Sequence, residues 1–268
     1  MSVGDEREQH QRVRERFTRS ADAFLRLAVP HRAGEAETIA RLAAPLPGEI
    51  ALDLACGPGT FTLALARQAR LVVGVDLTPA FLERARQVAA DQGAANVVLV
   101  CADAAALPCS DDSIDVAVSG YSLHHMARPF DALGELARVV RPGGRLALVD
   151  LIVPDGADAE ANDRIERCRD SSHTHTLFLD QLRRMVEDAG FRIRSTESIE
   201  RPRRFADWLR ISGWEPTDPA WRQTRRLMEA AMDGDASGFR PRLVPGVGGA
   251  GPEIEFTQSC SFLAAWKP

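Results

Sequence analysis

Residues 50–60, Ile-Ala-Leu-Asp-Leu-Ala-Cys-Gly-Pro-Gly-Thr, run an apolar strand straight into a tight glycine turn that opens a helix. That junction marks a nucleotide-type cofactor pocket. Gly57 and Gly59 let the backbone approach a ligand with no Cβ in the way, and Asp53 offers a carboxylate to a polar or cationic group. A second apolar strand over 71–76 ends in Asp76, nineteen residues after Gly57, where a doubly wound fold binds ribose hydroxyls. A third, over 97–101, is followed by Asp103, placed to accept a hydrogen bond from an adenine amino group. The run after Gly59 is Thr60-Phe61-Thr62, without the third small residue that packs a dinucleotide-binding helix on its strand, which disfavours a pyrophosphate. Three acids with no lysine nearby suit a cationic adenosine cofactor better than a phosphorylated one.

Further strands over 114–119 and 144–151 and helices over 59–69, 79–91 and 129–140 complete an alternating pattern, and the fold class is α/β with a doubly wound sheet. The 129–140 helix is expected to turn Phe130, Leu133, Leu136 and Val140 inward and to stop at the Arg141-Pro-Gly-Gly144 turn. Val13, Phe17, Ser20, Phe24 and Leu27 recur at helical spacing, so the first thirty residues predict an amphipathic helix ending before Pro30. A sixth strand is expected from Phe191 to about Ile199, and a last one over 254–266. The stretch between them is longer than a hairpin needs and reads as a helical cap holding Trp208, Trp214 and Trp221. The domain plan is therefore 1–45 a helical lid, 46–199 the core, 200–253 the cap and 254–268 the core's last strand. The 246–251 glycine run has no following helix and reads as a loop.

At 268 residues the chain has room for one sizeable core with an accessory element. A net charge of −5 argues against a nucleic-acid partner. No apolar run approaches the ~20 residues needed to cross a bilayer. Cysteines 56, 101, 109, 168 and 260 form no Cys-x-x-Cys pair, and the start has no apolar signal core, so reduced thiols in a cytoplasmic protein are expected. Lys267 is the only lysine, and we read the arginine bias as compositional.

The set Asp53-Leu-Ala-Cys-Gly-Pro-Gly-Thr60, Gly74-Val-Asp-Leu-Thr78, Cys101-Ala-Asp-Ala104, the 107–115 approach to strand four and Arg138-Val-Val-Arg-Pro-Gly-Gly-Arg145 resembles the class I S-adenosylmethionine methyltransferases. Leu123-His-His-Met126 and Arg169-Asp-Ser-Ser-His173 resemble the ubiquinone/menaquinone-biosynthesis-type branch in particular. The resemblance covers roughly 12–212. It implies a seven-stranded, mostly parallel sheet and S-adenosylmethionine as cofactor, leaving as S-adenosylhomocysteine. It implies cofactor contacts from Asp53, Ala55, Gly57, Gly59, Asp76, Leu77, Asp103, Ala104 and Ser119. Phe24 stands where the lid of the family usually carries a tyrosine, and with Tyr121, Arg169 and Trp208 it is a candidate for the acceptor pocket.

Methyl transfer from a sulfonium needs in-line positioning, exclusion of water and, for some acceptors, a base. His124, His125 and His173 are the candidate catalytic residues, because an imidazole titrates near neutrality. Adjacent histidines point in different directions and no metal-ligand spacing is present, so no metal is expected. The partner is a small molecule, with methylation at carbon or oxygen of a quinol, phenol or polyketide-like acceptor; the sequence is compatible with a homodimer. Three readings stand beside it: methylation of a small amine, a cyclase or decarboxylase that holds the cofactor without spending its methyl, and a non-enzymatic cofactor-binding partner protein.

Overall fold

Apolar runs that end in turn residues recur through the first half of the chain, and each becomes a strand of one twisted sheet. The computed structural model describes residues 3–246 and 251–268, so most of the 246–251 glycine run lies outside the described residues. Strands β1 (Ile50–Leu54), β2 (Leu71–Asp76), β3 (Val97–Cys101), β4 (Ile114–Gly120) and β5 (Val140–Val153) pair in parallel. The two-residue β6 (Leu177–Phe178) pairs with β5 in parallel. After β7 (Arg192–Arg204) and β8 (Arg242–Val244), the long β9 (Glu253–Trp266) inserts antiparallel between β5 and β7 and also pairs with β8. The main order is β3-β2-β1-β4-β5-β9-β7: the expected seven strands, with β6 and β8 as short additions. The order reverses between β1 and β4, where such a sheet opens a crevice beyond the carboxyl ends of its strands.

Helix α1 (Val3–Leu27), a 3-10 turn (Val29–Arg32) and α2 (Ala33–Ala43) precede the sheet. α3 (Thr60–Ala66), α4 (Pro79–Asp91) and α5 (Pro129–Val139) connect its parallel strands. α6 (Ala159–Arg169), α7 (Leu179–Asp188), α8 (Phe205–Ile211) and α9 (Pro219–Ala231) follow. Proline at the first position of α4 and α5 is preset for a helix start.

The strand period of two decides which side chains meet which helices. Leu52, Leu54, Ala117, Leu146 and Leu148 face one core with Leu133 and Leu136 of α5 and Leu182 and Val186 of α7. Their neighbours Ala51, Val116, Val118, Ala147 and Val149 face the other, with Ile39 of α2 and Leu65 of α3. A third core joins Phe205, Trp208, Trp221, Met228, Phe239 and Phe256, and holds the 200–253 segment on the sheet. α1 docks through Ala21 and Phe24 against Phe81 of α4 and Ile211 of α8.

Three local expectations differ from the structure. Phe130 is exposed, because the buried stripe of α5 runs Pro129, Ala132, Leu133, Leu136, Val139 and misses it. The Arg141–Gly144 turn is absorbed into β5 as a register shift between Ile114 and Val116 of β4; Gly143 takes φ +75°, and a Cβ on Gly144 would lie 2.8 Å from the Arg141 carbonyl oxygen. β7 continues past Ile199 to Arg204 because β9 supplies a partner up to Glu255.

Gly120 closes β4, and a Cβ there would lie 1.9 Å from a ring carbon of Phe61. Gly120→Ala is therefore expected to lose about 1–3 kcal/mol of stability by overpacking. Urea unfolding measures it, and a midpoint equal to wild type would show that Phe61 yields without cost.

Candidate active site

A cavity of about 230 Å³ opens beyond the strand ends and is roofed by α1. At one end the β1–α3 turn puts Ala55 at φ +56°, Gly57 at +53° and Gly59 at +90°. A Cβ on Gly57 would meet nothing nearer than Phe81 at 3.8 Å, so the left-handed backbone, not lack of room, favours glycine there. Asp76 is aimed by two backbone donors: Gly57 N–H to Oδ2 at 2.8 Å and Thr78 N–H to Oδ1 at 2.7 Å. Burial pushes its carboxyl up and those amides oppose the shift. Asp103 accepts from the Ala105 amide, and its other oxygen lies 3.4 Å from His10 of α1. Ala55, Gly57, Asp76, Leu77, Asp103 and Ala104 all line this end.

Asp53, Gly59 and Ser119 do not line the cavity; they brace it from behind. Asp53 is wholly buried and accepts from Thr62 Oγ1 at 2.6 Å, while its second oxygen has no partner. Burial pushes its carboxyl up to about 7. Ser119 donates to the Leu54 carbonyl and shares a hydrogen bond with Ser122. Gly59 caps α3, where a Cβ would press on Ala85 at 3.3 Å.

The other end is built from the β4 exit and the 3-10 turn Leu123–His125. Asp150, near the end of β5, accepts at Oδ2 from the amides of Ser122 (3.1 Å) and Leu123 (2.7 Å), and at Oδ1 from Leu151 N–H (2.7 Å) and a short bond from His124 Nδ1. With the proton placed on Nδ1 by that carboxylate, the lone pair of His124 is on Nε2, which makes no hydrogen bond among the described residues. His125 stacks 4.2 Å from His124 and pairs through Nδ1 with Ser172 Oγ at 3.1 Å. Burial, aided by His124, holds the His125 imidazole well below its ordinary range, so it is neutral. Ser172 in turn donates to Asp170, which is paired with Arg16 of α1 at 2.7 Å. Burial alone would raise the Asp170 carboxyl, but Arg16 and its other neighbours hold it far below the usual carboxylate range.

Tyr121 sits at φ +57°, an unusual backbone for a bulky residue. Its hydroxyl accepts from Arg201 at 2.7 Å, and the Arg32 guanidinium lies 4.3 Å above its ring. Phe24, Tyr121, Arg169 and Trp208 line the cavity with His124 and His125. His173 does not: its Nε2 bonds Asp163 at 2.7 Å behind the His124 ring, and its Nδ1 is buried without a partner. Among the described residues no group of three or more His, Cys, Asp or Glu side chains is arranged to hold a metal ion.

Comparison with known proteins places a known domain over the nucleoside end of this cavity. Residues 52–148 match the methyltransferase domain family. The demethylmenaquinone methyltransferase of Clavibacter sepedonicus is 40% identical over 114 residues, 42% of this chain and 46% of that one. The 27-O-demethylrifamycin SV methyltransferase of Amycolatopsis mediterranei is 36% identical over 165 residues, 59% of this chain and 61% of that one. The YcgJ protein of Bacillus subtilis superposes with a TM-score of 0.76 at 24% identity, covering 89% of this chain and 99% of its own. Residues 52–148 form a methyltransferase domain, and the fold of the chain is that of these neighbours. The matched stretches span 44% to 64% of the length of four curated relatives.

S-adenosylmethionine is the cofactor of this methyltransferase domain, and the donor set fits it. An oriented carboxylate (Asp76) and a second acid (Asp103) suit a nucleoside's hydroxyls and amino group, and among the described residues neither is paired with a lysine or arginine. Two features of the methyltransferase's cavity escape sequence reading. Asp150 lies at the same sheet edge as the histidines, but its pairing with His124 is set by the register of β4 and β5. Arg32, Arg201 and Arg203 reach the cavity from a 3-10 turn and from β7, where only the period-two spacing of 201 and 203 was a signal.

Proposed function

We propose that the chain transfers a methyl group in line to oxygen or carbon of a small aromatic, quinol-like or polyketide-like acceptor, with His124 as the base. The observation that carries this reading is the Asp150–His124 pair on the cavity lining, in which the carboxylate holds the ring through Nδ1 and Nε2 has no hydrogen-bond partner among the described residues. Two relatives, named for demethylmenaquinone and for 27-O-demethylrifamycin SV, support an acceptor of that class.

The bound cofactor supplies an electrophilic methyl on a sulfonium. The protein's part is to place and to deprotonate. Phe17, Phe24, Phe81, Leu151 and Trp208 wall the cavity with apolar surface and exclude water from the reacting atoms. His124 takes the acceptor proton at Nε2, and Asp150 stabilises the imidazolium that results. His125, neutral by burial, adds no charge to oppose it. In this reading His173 positions the His124 ring from behind.

Incubation with methyl-labelled S-adenosylmethionine and dihydroxynaphthalene or hydroxynaphthoate tests the proposal. Label is expected in at least one product. Tight binding of S-adenosylhomocysteine with no label in either would remove transfer to this class.

A further inference from the structure

The acceptor end of the cavity carries more positive charge than the protein itself neutralises. Arg16, Arg32, Arg169, Arg201 and Arg203 all line it. Three are matched: Arg16 with Asp170 at 2.7 Å, Arg169 with Glu166 at 2.9 Å, and Arg201 with Glu35. Among the described residues, neither Arg32 nor Arg203 has a carboxylate within 4 Å or a side-chain hydrogen bond.

Arg32 instead sits over two aromatic rings, its guanidinium carbon 4.3 Å from the Tyr121 ring centre and 5.0 Å from that of Phe24. The rings take no hydrogen bond from it, so its N–H donors are left for another group. Arg203 follows Arg201 by two on β7, on the same face, and is pinned opposite Phe256 of β9. Burial, then the charges of Arg32 and Arg169, push Arg203 down to about 10, so it stays charged at neutral pH. A half-buried guanidinium without a counter-ion is costly, and two side by side more so.

The cofactor's own carboxylate is the competing occupant, and the topology argues against it. β7 lies four strand spacings from β1, roughly 19 Å at about 4.8 Å each, so Arg203 enters from the side of the cavity remote from the cofactor turn.

We infer that the acceptor is an anion, whose carboxylate or phosphoryl group docks on Arg32 and Arg203 while its nucleophilic atom faces His124. This rests on the methyl-transfer reading and narrows its acceptor class. A planar or tetrahedral oxyanion accepts from both guanidinium edges, and the methylated atom needs no charge of its own.

The test is equilibrium binding to the full chain saturated with S-adenosylhomocysteine, which fills any cofactor carboxylate site. The probes are hydroxynaphthoate, its methyl ester and naphthyl phosphate. The acid or the phosphate is expected to bind roughly tenfold or more tighter than the ester, the scale of a charge-assisted contact; whichever wins identifies the oxyanion. Arg203→Met should erase that preference and leave S-adenosylhomocysteine affinity unchanged, and Arg203→Lys should restore part of it. Equal affinity for acid, phosphate and ester, absence of binding by all three included, overturns the inference on wild-type protein alone. Weaker S-adenosylhomocysteine binding by Arg203→Met also overturns it, by assigning the arginine to the cofactor. Methylation of dihydroxynaphthalene would leave the transferase reading standing in either case.

Discussion

Asp150→Asn is expected to bind S-adenosylmethionine as the wild type does and to turn over its acceptor ~10²–10⁴-fold more slowly, the usual worth of a general base. The carboxylate now accepts from four N–H groups: the Ser122, Leu123 and Leu151 amides and His124 Nδ1. An asparagine has one oxygen for that task. With its oxygen toward Ser122 and Leu123, its amide nitrogen faces His124 and donates to Nδ1. The imidazole proton is then driven to Nε2, the atom that must be free to act as base. The Leu151 amide also loses its acceptor, which costs about 1–3 kcal/mol of stability. His124→Ala removes the same function directly, so the double variant should be no slower than the worse single one. Single-turnover rates on cofactor-saturated protein measure this. A wild-type rate in Asp150→Asn would leave catalysis to positioning alone.

The second large effect is on cofactor affinity. Asp76→Ala removes the acceptor of the Gly57 and Thr78 amides, and with it the group that fixes the glycine turn against β2. If Asp76 holds the ribose as we propose, the substitution also removes charge-assisted bonds worth about 1.5–3 kcal/mol each. Together these predict at least a tenfold loss of S-adenosylmethionine affinity, measured by isothermal titration, and more where both ribose hydroxyls are engaged. Unchanged affinity in a folded Asp76→Ala protein would place the ribose elsewhere. Tight binding of NAD by the wild type would overturn the cofactor assignment altogether.

The contrast between these residues explains how much was legible in the sequence. Gly57, Asp76 and Asp103 belong to strand ends and turns whose geometry is set within a few residues, so each is announced by its own neighbours. Asp150 and His124 are twenty-six residues apart, and nothing local distinguishes Asp150 from the apolar strand around it. Asp53 and His173 show the opposite failing: an acid after an apolar run and a histidine in a motif both read as ligand-facing, yet packing turns them away from the cavity. The cap was legible as helical and aromatic. That its tryptophans chiefly close a third core, with only Trp208 also reaching the cavity, depends on contacts with α6 and β9 that no periodicity reveals.

The placement of β9 has a consequence for the order in which the molecule can be assembled. Strands β1 to β4, whose ends line the nucleoside end of the cavity, pair with neighbours made earlier or soon after them, all within the first 153 residues. Among the described residues β7 has no neighbour in the sheet except β9. Arg201 and Arg203 therefore have no fixed address until residues 253–266 have left the ribosome and paired across more than fifty intervening positions. During synthesis the end of the crevice beside the glycine turn can take shape first, and the end lined by Arg201 and Arg203 is completed last.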